Sequence, residues 1–202
     1  MLLAATLVLS LAGCATPTVS DSARGSTESP VAERPTWTPG DSWTYRAVDG
    51  SYTFEQRFVG ETTFENQPAL HIVRGRYDMY FSKDFGFIAR ELNGRVVRRM
   101  TPPTDHPWPL KVGKTWYWSG TWEDTERTLQ RYIYSDVWTV ERYEEVTVPA
   151  GTFKAFKIVR RVPGTNAYDE IWFSPQVKSI VKSRGSSAAG TYDEELVSYK
   201  VH

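Results

Sequence analysis

Val148-Pro149-Ala150-Gly151-Thr152-Phe153-Lys154-Ala155-Phe156-Lys157-Ile158-Val159-Arg160 reads as a turn feeding a strand. Pro149 and Gly151 punctuate it, and apolar and basic residues then alternate. Glu170-Ile171-Trp172-Phe173-Ser174-Pro175 follows as its partner strand. Both have echoes in the first half. Ala69-Leu70-His71-Ile72-Val73-Arg74 matches 155–160 at an offset of 86 residues, and Met79-Tyr80-Phe81-Ser82 matches 171–174 at 92. Upstream, Pro39-Gly40-Asp41-Ser42-Trp43 matches Val112-Gly113-Lys114-Thr115-Trp116 at 73. The order is the same in both halves and the offset only grows, as loop insertions into a duplicated unit would produce.

Working outward, short strands bounded by turn signals recur through the chain. Asp49-Gly50 and Asn93-Gly94 are hairpin signals that need positive φ, and 65–68 is a polar turn. Strands are expected at 42–48, 51–59, 62–64, 69–74, 77–82, 87–92 and 95–100. In the second half they are expected at 110–118, 132–140, 144–148 and 191–201, with a hairpin turn near Glu123-Asp124 and the two central strands before 191. Gly185 to Gly190 reads as a small-residue loop. Four prolines between 101 and 109 suit no sheet interior and mark a crossover between the halves. The aromatic load is heavy, with 8 Trp, 11 Tyr and 9 Phe, and favours strands. No helical period survives past the first residues. The expected fold is mainly β: an antiparallel meander of two related halves forming a strongly curved sheet, a sandwich or a partly open barrel.

The amino-terminal run 1–12 is apolar and too short to span a bilayer. It ends Leu11-Ala12-Gly13-Cys14, which resembles the bacterial lipobox, and Cys14 is the single cysteine. The resemblance implies a lipoprotein signal peptide over 1–13 and diacylation of the Cys14 thiol. No Lys or Arg precedes the run. Either the amino terminus alone supplies the positive charge, or the true start lies upstream. Residues 14–35 are rich in Ser, Thr, Pro and Glu and are expected to be a disordered tether. Residues 36–202 are then the β-domain, divided at 36–101, 102–109 and 110–202. Ala15 stands where Asp would be an inner-membrane retention signal in enterobacterial lipoproteins, which favours the outer membrane, facing the periplasm.

Pro109-Leu110-Lys111-Val112-Gly113-Lys114-Thr115-Trp116, then 148–153, then Trp172-Phe173-Ser174-Pro175-Gln176-Val177 resemble uncharacterised bacterial envelope lipoproteins of the TapB-like type. These carry a VPAGTF…WFSPxVG pattern. Lys178 stands where that pattern has Gly, so an altered turn is expected after Pro175; the first half keeps its Gly as Gly86. The resemblance implies an envelope β-domain and no reaction.

The chemistry-bearing residues point the same way. Charges balance, 24 against 24, so no field favours nucleic acid. His71, His106 and His202 show no metal-ligand spacing, and no nucleophile elbow or phosphate-cradling loop occurs. No catalytic residue, metal or cofactor is expected. Glu123-Asp124 and Asp193-Glu194-Glu195 are the carboxylates from which a glycosidase-type pair would come; as turn and strand-edge charge they need no such role. Arg74, Arg76, Arg95, Arg98 and Arg99 read as strand-surface charge, with an anionic lipid as the alternative. Trp116, Trp118, Trp122 and Trp172 are the candidate ligand or partner surface, as a stacking platform or apolar cleft; plain core is the competing account. The expected function is a lipid-anchored envelope binding or assembly protein that holds an amphiphile or docks an envelope partner. An envelope hydrolase using paired carboxylates and a structural spacer are the alternatives.

Overall fold

The structure, a computed structural model, describes residues 30–126, 128–187 and 190–202. Its described elements are all strands. In chain order they are β1 (Val31–Ala32), β2 (Ser42–Ala47), β3 (Thr53–Phe64), β4 (Gln67–Arg74), β5 (Tyr77–Phe81), β6 (Phe87–Leu92) and β7 (Arg95–Thr101). The second half holds β8 (Leu110–Lys111), β9 (Thr115–Asp124), β10 (Gln130–Val148), β11 (Gly151–Arg161), β12 (Tyr168–Ser174), β13 (Ser179–Ser187) and β14 (Gly190–Lys200). Strands β2 to β7 and β9 to β14 pair with their chain neighbours, all antiparallel. β7 then pairs with β9, and β14 with β2. The result is a twelve-stranded, strongly curved sheet whose hydrogen bonds close into a ring. It is not a clean barrel, because the β10–β11 hairpin also folds onto strands it does not pair with. Ala150 N–H donates to Leu196 O at 3.0 Å.

Turn chemistry sets the hairpins. Asn93 and Gly94 have φ of 53° and 73°, and Glu65 and Asn66 have 46° and 66°, the left-handed pair that a two-residue hairpin needs. The long strands bend at bulges. One falls between Phe58 and Gly60 on β3 and one between Val140 and Arg142 on β10. The sequence reading breaks each of these strands at that point, but the ladder resumes after one extra residue.

Bonds recur between the halves at Gly40 and Gly113, the glycines matched in the sequence at an offset of 73. Gly40 N donates to Phe58 O (2.9 Å) and Phe58 N to Asp41 O (2.9 Å); Gly113 N donates to Val140 O (2.8 Å) and Val140 N to Lys114 O (2.8 Å). The bulge opposite Tyr80 and Phe81 recurs opposite Trp172 and Phe173. His71 stacks on Tyr80 and bonds Asp78 at 2.7 Å; in the matching places Lys157 lies over Trp172 and bonds Glu170.

The main core packs Trp43, Tyr45, Phe58, Leu70, Ile72, Phe153, Trp172, Val181 and Leu196. A second cluster holds Leu110, Val140, Phe156, Ile158 and Phe173, and a third Phe64, Ala69, Ile88 and Ala89. Asp41 is fully buried at the β2 turn. It accepts hydrogen bonds from Thr38 N (2.9 Å) and His202 N (2.9 Å) and contacts the His202 ring at 2.9 Å. Burial alone would raise its pKa; the hydrogen bonds outweigh that and hold it below 3.8. A depressed carboxyl contributes stability that is full above the unfolded value and lost as pH falls through the folded one. Unfolding free energy is therefore expected to fall below about pH 4 more steeply in the wild type than in Asp41→Asn. Denaturant midpoints at pH 5 and pH 3 check this, and identical acid slopes would contradict it.

Four local expectations turn out differently. The tether does not run to Pro35 as free chain: Val31–Ala32 pairs with Leu110–Lys111, Ala32 is buried, and Arg34 Nη1 donates to Lys83 O at 2.7 Å. Residues 1–29, with the signal peptide and Cys14, lie outside the described residues. The expected hairpin turn at Glu123-Asp124 lies beyond them, because β9 pairs through Asp124 with Gln130. Gly185 sits within β13 rather than in a loop, since a Cβ there would meet Asp169 Oδ1 at 2.3 Å and Tyr168 O at 2.7 Å.

Lastly, Lys178 adopts the left-handed conformation itself, φ 56°, while in the first half Phe85, φ 62°, carries it. Gly86 serves space, as a Cβ would lie 2.2 Å from Asp105 Oδ1. A side chain in this conformation costs about 1 kcal/mol or more. Lys178→Gly is expected to raise stability by about 0.5–1 kcal/mol after the larger chain entropy of Gly is counted. A thermal midpoint below wild type would contradict this.

Candidate functional site

A cavity of about 340 Å³ opens between the two halves. Matched positions of the two halves both line it: Ile72 on β4 and Ile158 on β11, Phe81 on β5 and Phe173 on β12, Gln56 on β3 and Trp138 on β10. Alternation along each strand aims these side chains at one face. Trp37 and Phe85 add an apolar end, where their rings meet edge-on at 4.5 Å. The proline crossover supplies Thr104, His106 and Trp108. The His106 ring lies 5.6–6.4 Å from Trp108, Trp116 and Trp138. Burial pushes its pKa down to about 4, so it is neutral at neutral pH.

A second space of about 400 Å³ adjoins the first and shares Gln56, Arg74, Ile171, Ile180 and Tyr192 with it. Arg98, Glu194, Ser183 and the Tyr45 ring line it further. The Tyr45 hydroxyl donates to Ile180 O at 2.9 Å, and burial raises its pKa. Tyr192 donates to Asp169 Oδ1 at 2.8 Å, and burial and that carboxylate raise it too. The combined space grades from aromatic to charged. Its volume suits a small molecule, since such sites hold about 300–1,000 Å³.

The four tryptophans singled out in the sequence are dispersed, and none lines either space. Trp116 stacks on Trp138 at 5.8 Å and 9°. Trp118 is buried against Tyr134, its indole N–H shared between Pro102 O (3.1 Å) and Pro103 O (3.2 Å). Trp122 packs on Tyr132, with the Arg98 guanidinium 5.3 Å from its ring. Trp172 is buried, donates to Glu144 Oε1 at 2.7 Å, and carries Lys157 and Arg184 over its ring. The cavity tryptophans are Trp37, Trp108 and Trp138. Trp138 matches Gln56 through strand register, each lying opposite a matched arginine, which the echo in the sequence does not reach; nothing in the sequence marks the crossover as a wall.

Four of the five carboxylates in these runs are tied up in ion pairs; the fifth, Asp193, makes none among the described residues, and its Oδ1 is buried without a hydrogen-bond partner. Glu123 meets Arg131 at 3.2 Å, Asp124 meets Arg98 and Arg90, Glu194 meets Arg74 at 3.2 Å, and Glu195 meets Lys182 at 3.4 Å. The second carboxylate lining the space, Asp169, is held by Arg160. Among the described residues no group of three or more His, Cys, Asp or Glu is placed to hold a metal.

No protein-family model matches the chain, and no curated protein sequence matches it. Solved structures do. An exported protein with a YmcC-like fold from Bacteroides fragilis is 14% identical, with 84% of this chain and 99% of that one covered, at a TM-score of 0.50. The hypothetical lipoprotein YmcC from Escherichia coli is 12% identical over 79% of this chain and 84% of its own, at 0.44. A lipoprotein from Parabacteroides distasonis is 14% identical over 84% and 99%, at 0.40. At such identities the likeness is one of fold, and the Bacteroides fragilis structure carries it: this chain has a YmcC-like fold.

Proposed function

We propose that this protein is a binding protein of the bacterial cell envelope, moored to a membrane by an acylated Cys14 and holding an apolar or amphiphilic molecule between its two halves without transforming it. The single observation that carries this reading is the aromatic-walled cavity of about 340 Å³, placed where a soluble domain of this size would otherwise bury side chains. The Leu11-Ala12-Gly13-Cys14 sequence supports the anchor, and the resemblance of 109–116, 148–153 and 172–177 to envelope lipoproteins of the TapB-like type supports the location, with the periplasmic face of the outer membrane as the site. The recurrent bonds at Gly40 and Gly113 support descent of the halves from one six-stranded unit. Binding is favoured over catalysis because both carboxylates that line the space are committed to arginines.

The test is native mass spectrometry on the full chain carrying Cys14→Ser, incubated with an envelope lipid extract. A stoichiometric non-covalent adduct is expected. A chain that stays ligand-free throughout contradicts the reading.

A further inference from the structure

Arg74 and Arg160 occupy matching places in the two halves. Arg74 pairs across strands with Gln56 and Tyr77; Arg160 pairs with Trp138 and Asp169. Two residues before Gln56 stands Phe54, and two before Trp138 stands Asp136. The arginine of the second half is therefore neutralised within its own half. Its Nε meets Asp169, and its Nη1 lies 3.4 Å from Asp136, a carboxylate only 1% exposed. The first half puts aromatic rings, Phe54 and Tyr77, where those two acids would be. The Arg74 guanidinium lies 3.8 Å over the Phe54 ring and meets one carboxylate, Glu194, through Nη2 at 3.2 Å.

Stacking on Phe54 holds the Arg74 plane without using its N–H groups. A guanidinium has five donors, and the one contact with Glu194 leaves others over on a side chain that lines both spaces. Arg98, in the same space, is fixed through Nε and Nη2 on Asp124, which leaves its Nη1 donors. The Gln56 carboxamide sits at the seam of the two spaces. Two arginines that line one space beside an apolar chamber suit an oxyanion, which accepts paired N–H bonds.

Resting on the binding reading above, we infer that the ligand is an anionic amphiphile: its carboxylate or phosphate head is held by Arg74, with Arg98 and Gln56, and its tail lies in the apolar chamber between Phe81, Phe85 and Phe173. The head is selected by the first half because that half lacks the acids that silence Arg160. The polarity of the site thus comes from a difference between two otherwise matched strand pairs.

The test uses the full chain carrying Cys14→Ser and three probes below their micelle concentrations: decanoate, decyl phosphate and decanol. Calorimetric titration is expected to give at least one anion about tenfold or more tighter than the alcohol, as charge-assisted hydrogen bonds imply. Which anion leads separates a free fatty acid from a phosphate-bearing lipid. Arg74→Gln is expected to bring the anions to within about twofold of decanol. Phe54→Asp, which gives Arg74 the carboxylate that Arg160 has, is expected to do the same with the guanidinium still present. Should one variant fail to fold, the other decides, and anion affinity in the wild type is expected to fall with salt while decanol affinity does not. Equal binding of anion and alcohol by the wild type overturns this inference and leaves the binding reading intact. An anion preference that survives in the folded variants overturns the role of Arg74. Binding of none of the three probes overturns both readings.

Discussion

Trp43→Ala is expected to lower the unfolding free energy by about 3–5 kcal/mol. Trp43 is fully buried on β2, and its indole N–H donates to Val177 O at 2.7 Å. It packs on Trp37 at 5.0 Å, and Trp37 in turn bonds Lys178 O at 2.8 Å. One side chain therefore joins β2 to the loop after β12. Truncation opens a void and strands a buried carbonyl, two costs of which the void is the larger. Trp43→Phe keeps most of the volume and loses the bond, so about 1–3 kcal/mol is expected. Trp116, its match in the second half, is only half-buried, and Trp116→Ala is expected to cost about 1–2 kcal/mol. Urea midpoints show the largest loss in Trp43→Ala and smaller losses in Trp43→Phe and Trp116→Ala if the ring packs as described. Equal shifts at Trp43 and Trp116 would count against it.

Arg160→Ala carries an expected loss of about 3–5 kcal/mol, because breaking a buried pair leaves charge without a partner. Two carboxylates depend on this guanidinium. Asp169 keeps the Tyr192 hydroxyl and Asp136 keeps the Trp138 indole N–H at 2.8 Å, but neither donor is a cation. Asp136 already has its pKa raised by burial despite Arg160. Removing the arginine is expected to push it further and bind a proton on folding, so the variant should regain stability as pH falls. Arg160→Met with Asp136→Leu removes charge from both sides and is expected to recover part of the loss, since apolar replacements of a buried pair are often tolerated. A double variant as unstable as Arg160→Ala would show that the network does more than balance charge. The matched Arg74→Ala should cost far less, as its side chain is 34% exposed and strands only one acid.

How much of this was legible before the fold was known depends on which interactions are local. Hairpins at Asp49-Gly50 and Asn93-Gly94, and the limits of β6 at Phe87–Leu92, follow from turn residues and alternation, so they could be read. The matches around Gly40 and Gly113 were readable because a left-handed glycine before a strand leaves the same residues in both halves. β10 could not be read as one strand of 19 residues, because a bulge at Glu141 reverses the alternation that marks a strand. Gly185 looked like a loop, since only the approach of Asp169 and Tyr168 from β12 explains it.

The cavity itself was hidden for a related reason. Tryptophans drew the eye to β9, yet Trp118 packs under the crossover and Trp172 packs among charged neighbours on the opposite face from Ile171 and Phe173. The walls come instead from residues that look ordinary in sequence, Gln56, Ile72, Ile158 and Ile171, and from the proline-rich crossover that carries His106 and Trp108. Arg74 and Arg160 were both in view as strand arginines. Only the cross-strand neighbours, which sequence order does not supply, separate the silenced one from the one that lines the space.

The most direct test of the central claim is tryptophan quenching by 12-bromododecanoate in the full chain carrying Cys14→Ser. Heavy-atom quenching needs near contact, and Trp37, Trp108 and Trp138 line the chamber. A saturable loss of fluorescence, diminished when those three are replaced by Phe, is the predicted result. Quenching that rises linearly without saturation, or that is unchanged in the triple variant, would contradict a binding chamber between the two halves.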